Sequence, residues 1–291
     1  MPNPPPGNAA PPPRFTRPFG QPPPDGRTAF ADIAALLTVR GRRAENQDRA
    51  FAALIHGGDG ASAFVACVLD GMGGMRGGGE AAGLAAGAFL QALSQPSDQP
   101  LVQWLETAIA AANAAVWRQL RGEGGTTLTA VAIDDRYRAL CVHVGDSRLY
   151  ARDGSIAQVT TDDTLAGLLG EDDSDLFGNG LMQFVGLGEG MLHQSFDLSS
   201  PLPATLLLTS DGFHSLSWLT LAEMFDPSEA AFDRLARADG LDDNATAVII
   251  DVAQAANAAA GSAERGIQVT STSGAVMIGG RTQLGDQRRG I

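Results

Sequence analysis

From about Ala29 onward the chain is built of short apolar runs punctuated by glycine and aspartate. Nine of these runs read as strands: "ALLTVRG", "DRAFAALIH", "SAFVACVLD", "TLTAVAIDD", "YRALCVHVGD", "SRLYARDG", "HQSFDLS", "TLLLTSDG" and "NATAVIIDV". Two segments differ. "GGGEAAGLAAGAFLQALS" and "LVQWLETAIAAANAAVWRQLRG" space their apolar residues for one helical face. Each is long enough for about five helical turns. Several strands are hairpin-spaced, and both helices fall between the third and fourth strands. That arrangement predicts antiparallel sheets with helices packed outside, rather than a doubly wound parallel sheet.

The ends of the chain are patterned differently. Eleven of the 16 prolines lie within residues 1–24, where "PNPPPGNAAPPPRFTRPFGQPPP" excludes helix and sheet ladders. Residues 1–28 are therefore expected to form a disordered arm. It is read either as a ligand or tether for an unknown proline-reading partner, or as a solvated tail. After Val252 the sequence turns to Ala, Gly, Ser and Thr. Residues 253–291 are expected to be mostly disordered, with one weak hairpin in "GIQVTSTSGAVMIGG".

Charge and composition narrow the chemistry. The 291 residues carry 20 basic and 33 acidic side chains, and every basic residue is arginine. Without lysine there is no Walker-type phosphate loop, pyridoxal Schiff base or serine–lysine dyad. Residues 31–251 sum to −17, which excludes nucleic acid as an expected partner. The two cysteines, Cys67 and Cys141, sit in apolar runs and suit buried thiols in a reducing cytoplasm. No secretory leader is apparent, and no apolar stretch reaches membrane-spanning length.

Aspartates gather where strands end. Asp70 follows "FVACVL", Asp211 follows "LLLTS", Asp242 and Asp243 precede "NATAVII", and Asp146 stands between two strands in "VHVGDSRLY". A single such residue is ordinarily a turn former or a cap. Four such positions, three of them with an adjacent glycine, suggest converging carboxylates, which repel unless protons or cations neutralise them. A divalent-metal site is the economical reading. Gly77, Gly79, Ala82 and Asp98 also satisfy a permissive dinucleotide fingerprint. Its context is wrong, because the strand already ends at Asp70 and an acid there would repel a pyrophosphate.

These segments, together with "RGRRAENQDRAF", "VACVLDGMGGMRGGGEAA" and "GGTTLTAVAI", resemble the type 2C metal-dependent serine/threonine protein phosphatases in their compact bacterial form. The resemblance covers residues 29–252, with six motifs in the family's order. It implies an α+β fold, a four-layer α/β/β/α sandwich of two antiparallel sheets flanked by helices. It also implies hydrolysis of phosphoserine and phosphothreonine by a water activated between two Mn²⁺ or Mg²⁺ ions. Carried over by position, Asp70, the Gly71 carbonyl, Asp211 and Asp243 would hold the metals, and Asp146 a weaker third ion. Arg43 would grip the substrate phosphate, with Arg40 and Arg42 as competitors, and Asp48 would orient the attacking water. Thr127 would line the site, and Asp162 would mark the entrance to the family's flap.

Some positions depart from the pattern. Met72 replaces a histidine general acid, Gln47 replaces a glutamate, and Asp163 replaces a histidine, while residues 165–188 are only loosely alike. The acidic flap would favour basic sequence around the phosphoresidue, or is simply solvated. His56, His143, His193 and His214 match no catalytic position, and His143 is expected to be packed in a strand. Substrates of a eukaryotic-like serine/threonine kinase are the implied partners. The competing reading is an idle phosphatase-fold scaffold, against which the complete set of metal-binding aspartates argues.

Overall fold

The computed structural model describes residues 25–30, 32–56, 62–72, 77–95, 99–170, 180–214, 222–223, 225, 241–261, 266–272 and 274–278. In chain order these form β1 (Asp25–Phe30), β2 (Ala34–Val39), β3 (Arg49–His56), β4 (Ser62–Leu69), α1 (Gly78–Leu93), α2 (Leu101–Leu120), β5 (Leu128–Asp134), β6 (Ala139–Val144) and β7 (Arg148–Asp153). They continue with β8 (Ser155–Gln158), α3 (Leu165–Leu169), β9 (Gln194–Asp197), β10 (Thr205–Thr209), a single 3-10 turn at Asp211–Phe213, β11 (Ala245–Asp251), α4 (Val252–Gly261), β12 (Gly266–Ser271) and β13 (Gly274–Ile278).

Among the described residues the strands make two sheets, in the orders β1-β2-β11-β10-β7-β8 and β13-β12-β3-β4-β5-β6-β9. Every pairing is antiparallel, as hairpin spacing predicted. The continuous apolar runs have a simple cause: the central strands are covered on both faces. In β4, Ala63, Val65, Cys67 and Leu69 face the layer of α1 and α2, while Phe64, Ala66 and Val68 face the other sheet. Leu206 and Leu208 of β10 and Val248 and Ile250 of β11 meet them from that sheet. Four fully buried alanines of α1, Ala81, Ala82, Ala85 and Ala86, let that helix lie close to its neighbours. On the outer face of the first sheet, Leu37, Leu207 and Ile249 pack with Phe213, Phe225 and Leu241.

Both ends of the domain differ from the sequence expectation. The structure starts pairing at Asp25, inside the stretch read as an arm, because residues 25–30 lie against all of β2. Beyond Val252, α4 buries Val252, Ala255, Ala256 and Ala259 between the sheets. Strand β12 then pairs with β3 from His56 to Phe51 and buries Ile267 and Val269. Low hydrophobicity misled here: small residues suffice where a preformed core accepts them. Residues 1–24 and 279–291 lie outside the described residues. No helix among those described is long and apolar enough to cross a membrane.

Candidate active site

The ends of β4, β10 and β11 and the β6–β7 turn meet at one rim of the sandwich and enclose a cavity of about 460 Å³. Its lining contains Arg43, Asp70, Gly71, Thr127, Asp146, Asp211 and Asp243. Seven of the eight residues anticipated for the site thus converge. Asp48, the eighth, is fully buried and does not line the cavity.

Asp70 is held through its main chain. Its N–H donates to Thr127 Oγ1 at 2.9 Å, and its carbonyl accepts from the Thr127 N–H at 2.9 Å and the Thr126 hydroxyl at 2.8 Å. The Thr127 hydroxyl also bonds Ser147 Oγ at 2.7 Å, so this threonine acts here by fixing the Asp70 backbone. Gly71 is required by close approach, since a Cβ there would lie 2.4 Å from the Gly78 carbonyl oxygen and 2.8 Å from that of Gln47. Asp243 accepts from the Asn244 N–H at 2.7 Å and pairs with the Arg43 guanidinium.

Arg43 reaches the cavity because its loop is strapped to the start of β11. Asn244 donates to the carbonyls of Arg40 at 2.8 Å and Glu45 at 3.0 Å and accepts from the Gln47 N–H at 2.8 Å. The three arginines of "RGRR" are placed differently. Arg42 pairs with Asp242 at 2.7 Å in solvent, Arg40 is absent from the lining, and Arg43 is the arginine presented.

The flap residues are placed as supports. Asp162 makes a two-pronged pair with Arg148, its shortest contact 2.6 Å. Asp163 accepts from the Gly145 N–H and from Gln194, both at 2.8 Å, tying the flap base to the β6–β7 turn. Residues 171–179, which hold most of the acidic flap sequence, lie outside the described residues. His143 is fully buried on the Thr129 hydroxyl at 2.9 Å, as expected of a packed strand residue. Several supports were missed in the sequence: Asn244, Ser210 and Ser147. Only Asn244, directly after the paired aspartates, offered a signal.

The electrostatics explain what this cluster wants. Burial pushes the Asp70 carboxyl well above its usual range, and the charges of Asp48 and Asp211 push further. Asp146 is pushed up to about 7 by burial and by Asp211. Burial likewise raises Asp48 to about 7, against hydrogen bonding from Thr246 and Ser210 that favours the anion. Asp211 is raised by burial, opposed by a hydrogen bond with Asp70 and aided by Asp243. Such a set takes up protons or cations. Asp211 Oδ1 and Asp48 Oδ1 are buried without hydrogen-bond partners, which fits hard cations and their waters. Among the described residues no three acidic, His or Cys side chains form a ready chelate, and Asp243 is turned to Arg43.

A family model for "Protein phosphatase 2C" matches residues 39–246, the span that contains every one of these side chains. The chain belongs to the protein phosphatase 2C family. Solved structures of the family agree. The PPM Ser-Thr phosphatase MsPP from Mycobacterium smegmatis, in complex with cacodylate, is 30% identical, with a TM-score of 0.60 over 77% of this chain and 99% of that one. The Mycobacterium tuberculosis serine/threonine phosphatase PstP/Ppp is 29% identical, with a TM-score of 0.57 over 75% and 97%. Stp1 from Staphylococcus aureus, at 21% identity and a TM-score of 0.63, shares the fold. In sequence, the serine/threonine protein phosphatase PstP of M. tuberculosis is 33% identical over 133 residues, 44% of this chain, and the match spans 24% of that curated relative's length.

Proposed function

We propose that this phosphatase 2C-family chain is a working protein-serine/threonine phosphatase that hydrolyses phosphoserine and phosphothreonine directly, without a covalent phosphoenzyme. The observation that carries this reading is one cavity in which four carboxylate-bearing strand ends face an arginine. Asp70, the Gly71 carbonyl, Asp211 and Asp243 would hold two Mn²⁺ or Mg²⁺ ions, and Asp146 a weaker third. Bound there, the ions would supply an acidified water and neutralise charge developing on the phosphoryl oxygens. Arg43, planar and two-pronged, would grip the phosphate. Asp48 would orient the attacking water through its unpartnered oxygen. Met72 carries no proton to give, so the leaving seryl oxygen would take its proton from water.

Substrates are proposed to be proteins phosphorylated by a eukaryotic-like serine/threonine kinase, in the cytoplasm. Asp70→Asn and Asp211→Asn are each expected to abolish Mn²⁺-dependent turnover of p-nitrophenyl phosphate and of a phosphothreonine peptide, with the melting transition retained. Near wild-type turnover in either variant would sink the proposal. A wild-type protein that binds no Mn²⁺ by calorimetry would instead favour an idle scaffold.

A further inference from the structure

Beneath the cavity lies a fully buried polar tie between the two sheets. Asp48 immediately precedes β3 of one sheet, and Ser210 immediately follows β10 of the other. Both are completely enclosed. Ser210 Oγ donates to Asp48 Oδ2 at 2.8 Å, bridging 162 residues of sequence. The direction of that bond is set by its surroundings. Ser210 Oγ already accepts the Thr246 N–H at 2.8 Å, so its single proton is left for the carboxylate. The Ser210 backbone is fixed as well, its N–H donating to the Thr246 carbonyl at 2.9 Å.

The far side of Asp48 is equally constrained. Its N–H donates to Asn46 Oδ1 at 3.1 Å, and Asn46 Nδ2 donates to Thr38 Oγ1 at 2.8 Å. Thr38 Oγ1 in turn bonds Thr246 Oγ1 at 2.8 Å, closing a ring of buried polar groups around the carboxylate. Within that ring the two carboxylate oxygens are unequal. Oδ2 is taken by Ser210, with the Thr246 hydroxyl also favouring the anion, whereas Oδ1 has no hydrogen-bond partner. An uncompensated buried oxygen is costly unless function uses it.

We propose that Ser210 is a positioning residue for Asp48. Its hydroxyl pins Oδ2 and thereby leaves Oδ1 as the one oxygen that orients the attacking water. The inference rests on the phosphatase reading above and deepens it. Ser210 touches neither substrate nor metal and acts only through Asp48. Because Asp211 is its chain neighbour, the same peptide holds one carboxylate of the cavity and locks another behind it.

A double-mutant cycle separates this role from a purely structural one. The variants are Ser210→Ala, Asp48→Ala and the pair, with Mn²⁺ present and p-nitrophenyl phosphate as substrate. Ser210→Ala should lower kcat by about tenfold with KM held within about twofold, and should change kcat by less than about twofold once Asp48 is gone. Ser210→Thr, which restores the hydroxyl, should recover most of the lost kcat. Calorimetric Mn²⁺ affinity of Ser210→Ala should stay within about threefold of wild type, since Asp70, Asp211 and Asp243 are untouched. If Ser210→Ala does not fold, the near-isosteric Ser210→Cys takes its place in the cycle.

Equal losses of kcat in both backgrounds would overturn the inference and leave Ser210 a packing residue. So would a collapse of Mn²⁺ affinity, which would place its effect on Asp211. Unchanged kcat in Ser210→Ala would overturn it outright. A wild-type protein without turnover would overturn the phosphatase reading and this inference with it, whereas wild-type turnover with additive losses would overturn the inference alone.

Discussion

Replacing Asp146 by asparagine should stabilise the metal-free protein, and by more as the pH rises. In the folded chain Asp146 is pushed up to about 7 from the usual 3.8, first by burial and then by Asp211 and Asp162. Between those two pH values the native state keeps a proton that the unfolded chain has already released. The native state then binds more protons, so stability falls as pH rises through this window and levels off above it. At about 1.4 kcal/mol per unit, roughly three units amount to at most about 4 kcal/mol. Because Asp146 borders the water of the cavity, about 2–4 kcal/mol is the working range. Asparagine has nothing to ionise and keeps the shape. Thermal melts in chelator at pH 4.5, 5.5, 6.5 and 7.5 would follow the difference between Asp146→Asn and wild type. That difference should be small at the acid end and grow to about 5–15 °C at pH 7.5 for a domain of this size. Adding Mn²⁺ should narrow it, because cations neutralise the same charge. A difference that is flat with pH, or that turns against the variant as pH rises, would refute the reasoning.

Two further outcomes follow from packing. In Gly71→Ala the new methyl would meet the Gly78 carbonyl oxygen at 2.4 Å, forcing backbone apart at the cavity edge. Melting should show a loss of about 1–3 kcal/mol, accompanied by weaker Mn²⁺ binding, and an unchanged transition would mean the approach is slack. Ending the chain after Gly261 should uncover the edge of β3 and forfeit the burial of Ile267 and Val269. At about 1.5–3 kcal/mol for each side chain the truncated protein should melt well below the full chain, and equal melting would show that β12 contributes nothing to the core.

Much of this architecture was legible because local and global signals agree. All nine anticipated strands occur, from β2 to β11, and both long helices lie where their apolar spacing put them. Doubly covered strands such as β4, apolar at every position after Ser62, carry an unmistakable signature. The short edge strand β8, with one half-buried residue and three exposed ones, carries no such pattern and was missed. Strand β12 was foreseen only as part of a weak hairpin, because its stability comes from β3 rather than from its own residues. The cavity aspartates were legible for a different reason: a carboxylate directly after a buried strand has only the sheet rim to occupy.

What the chain determined by itself was therefore the set of elements, the residues at their ends and the excess of aspartate that demands neutralising partners. Which residues would share one cavity was decided only by tertiary structure. Arg43 is singled out from three neighbouring arginines by the strapping of its loop to Asn244, 201 positions away in number, and not by anything within "RGRR". Asp48 and Ser210 meet because two sheets stack, and Thr127 reaches the Asp70 amide because β4 and β5 pair in one register. Hydrogen bonds act over about 3 Å, whereas sequence patterns register only burial and periodicity, so contacts between distant segments leave no trace until the chain has folded.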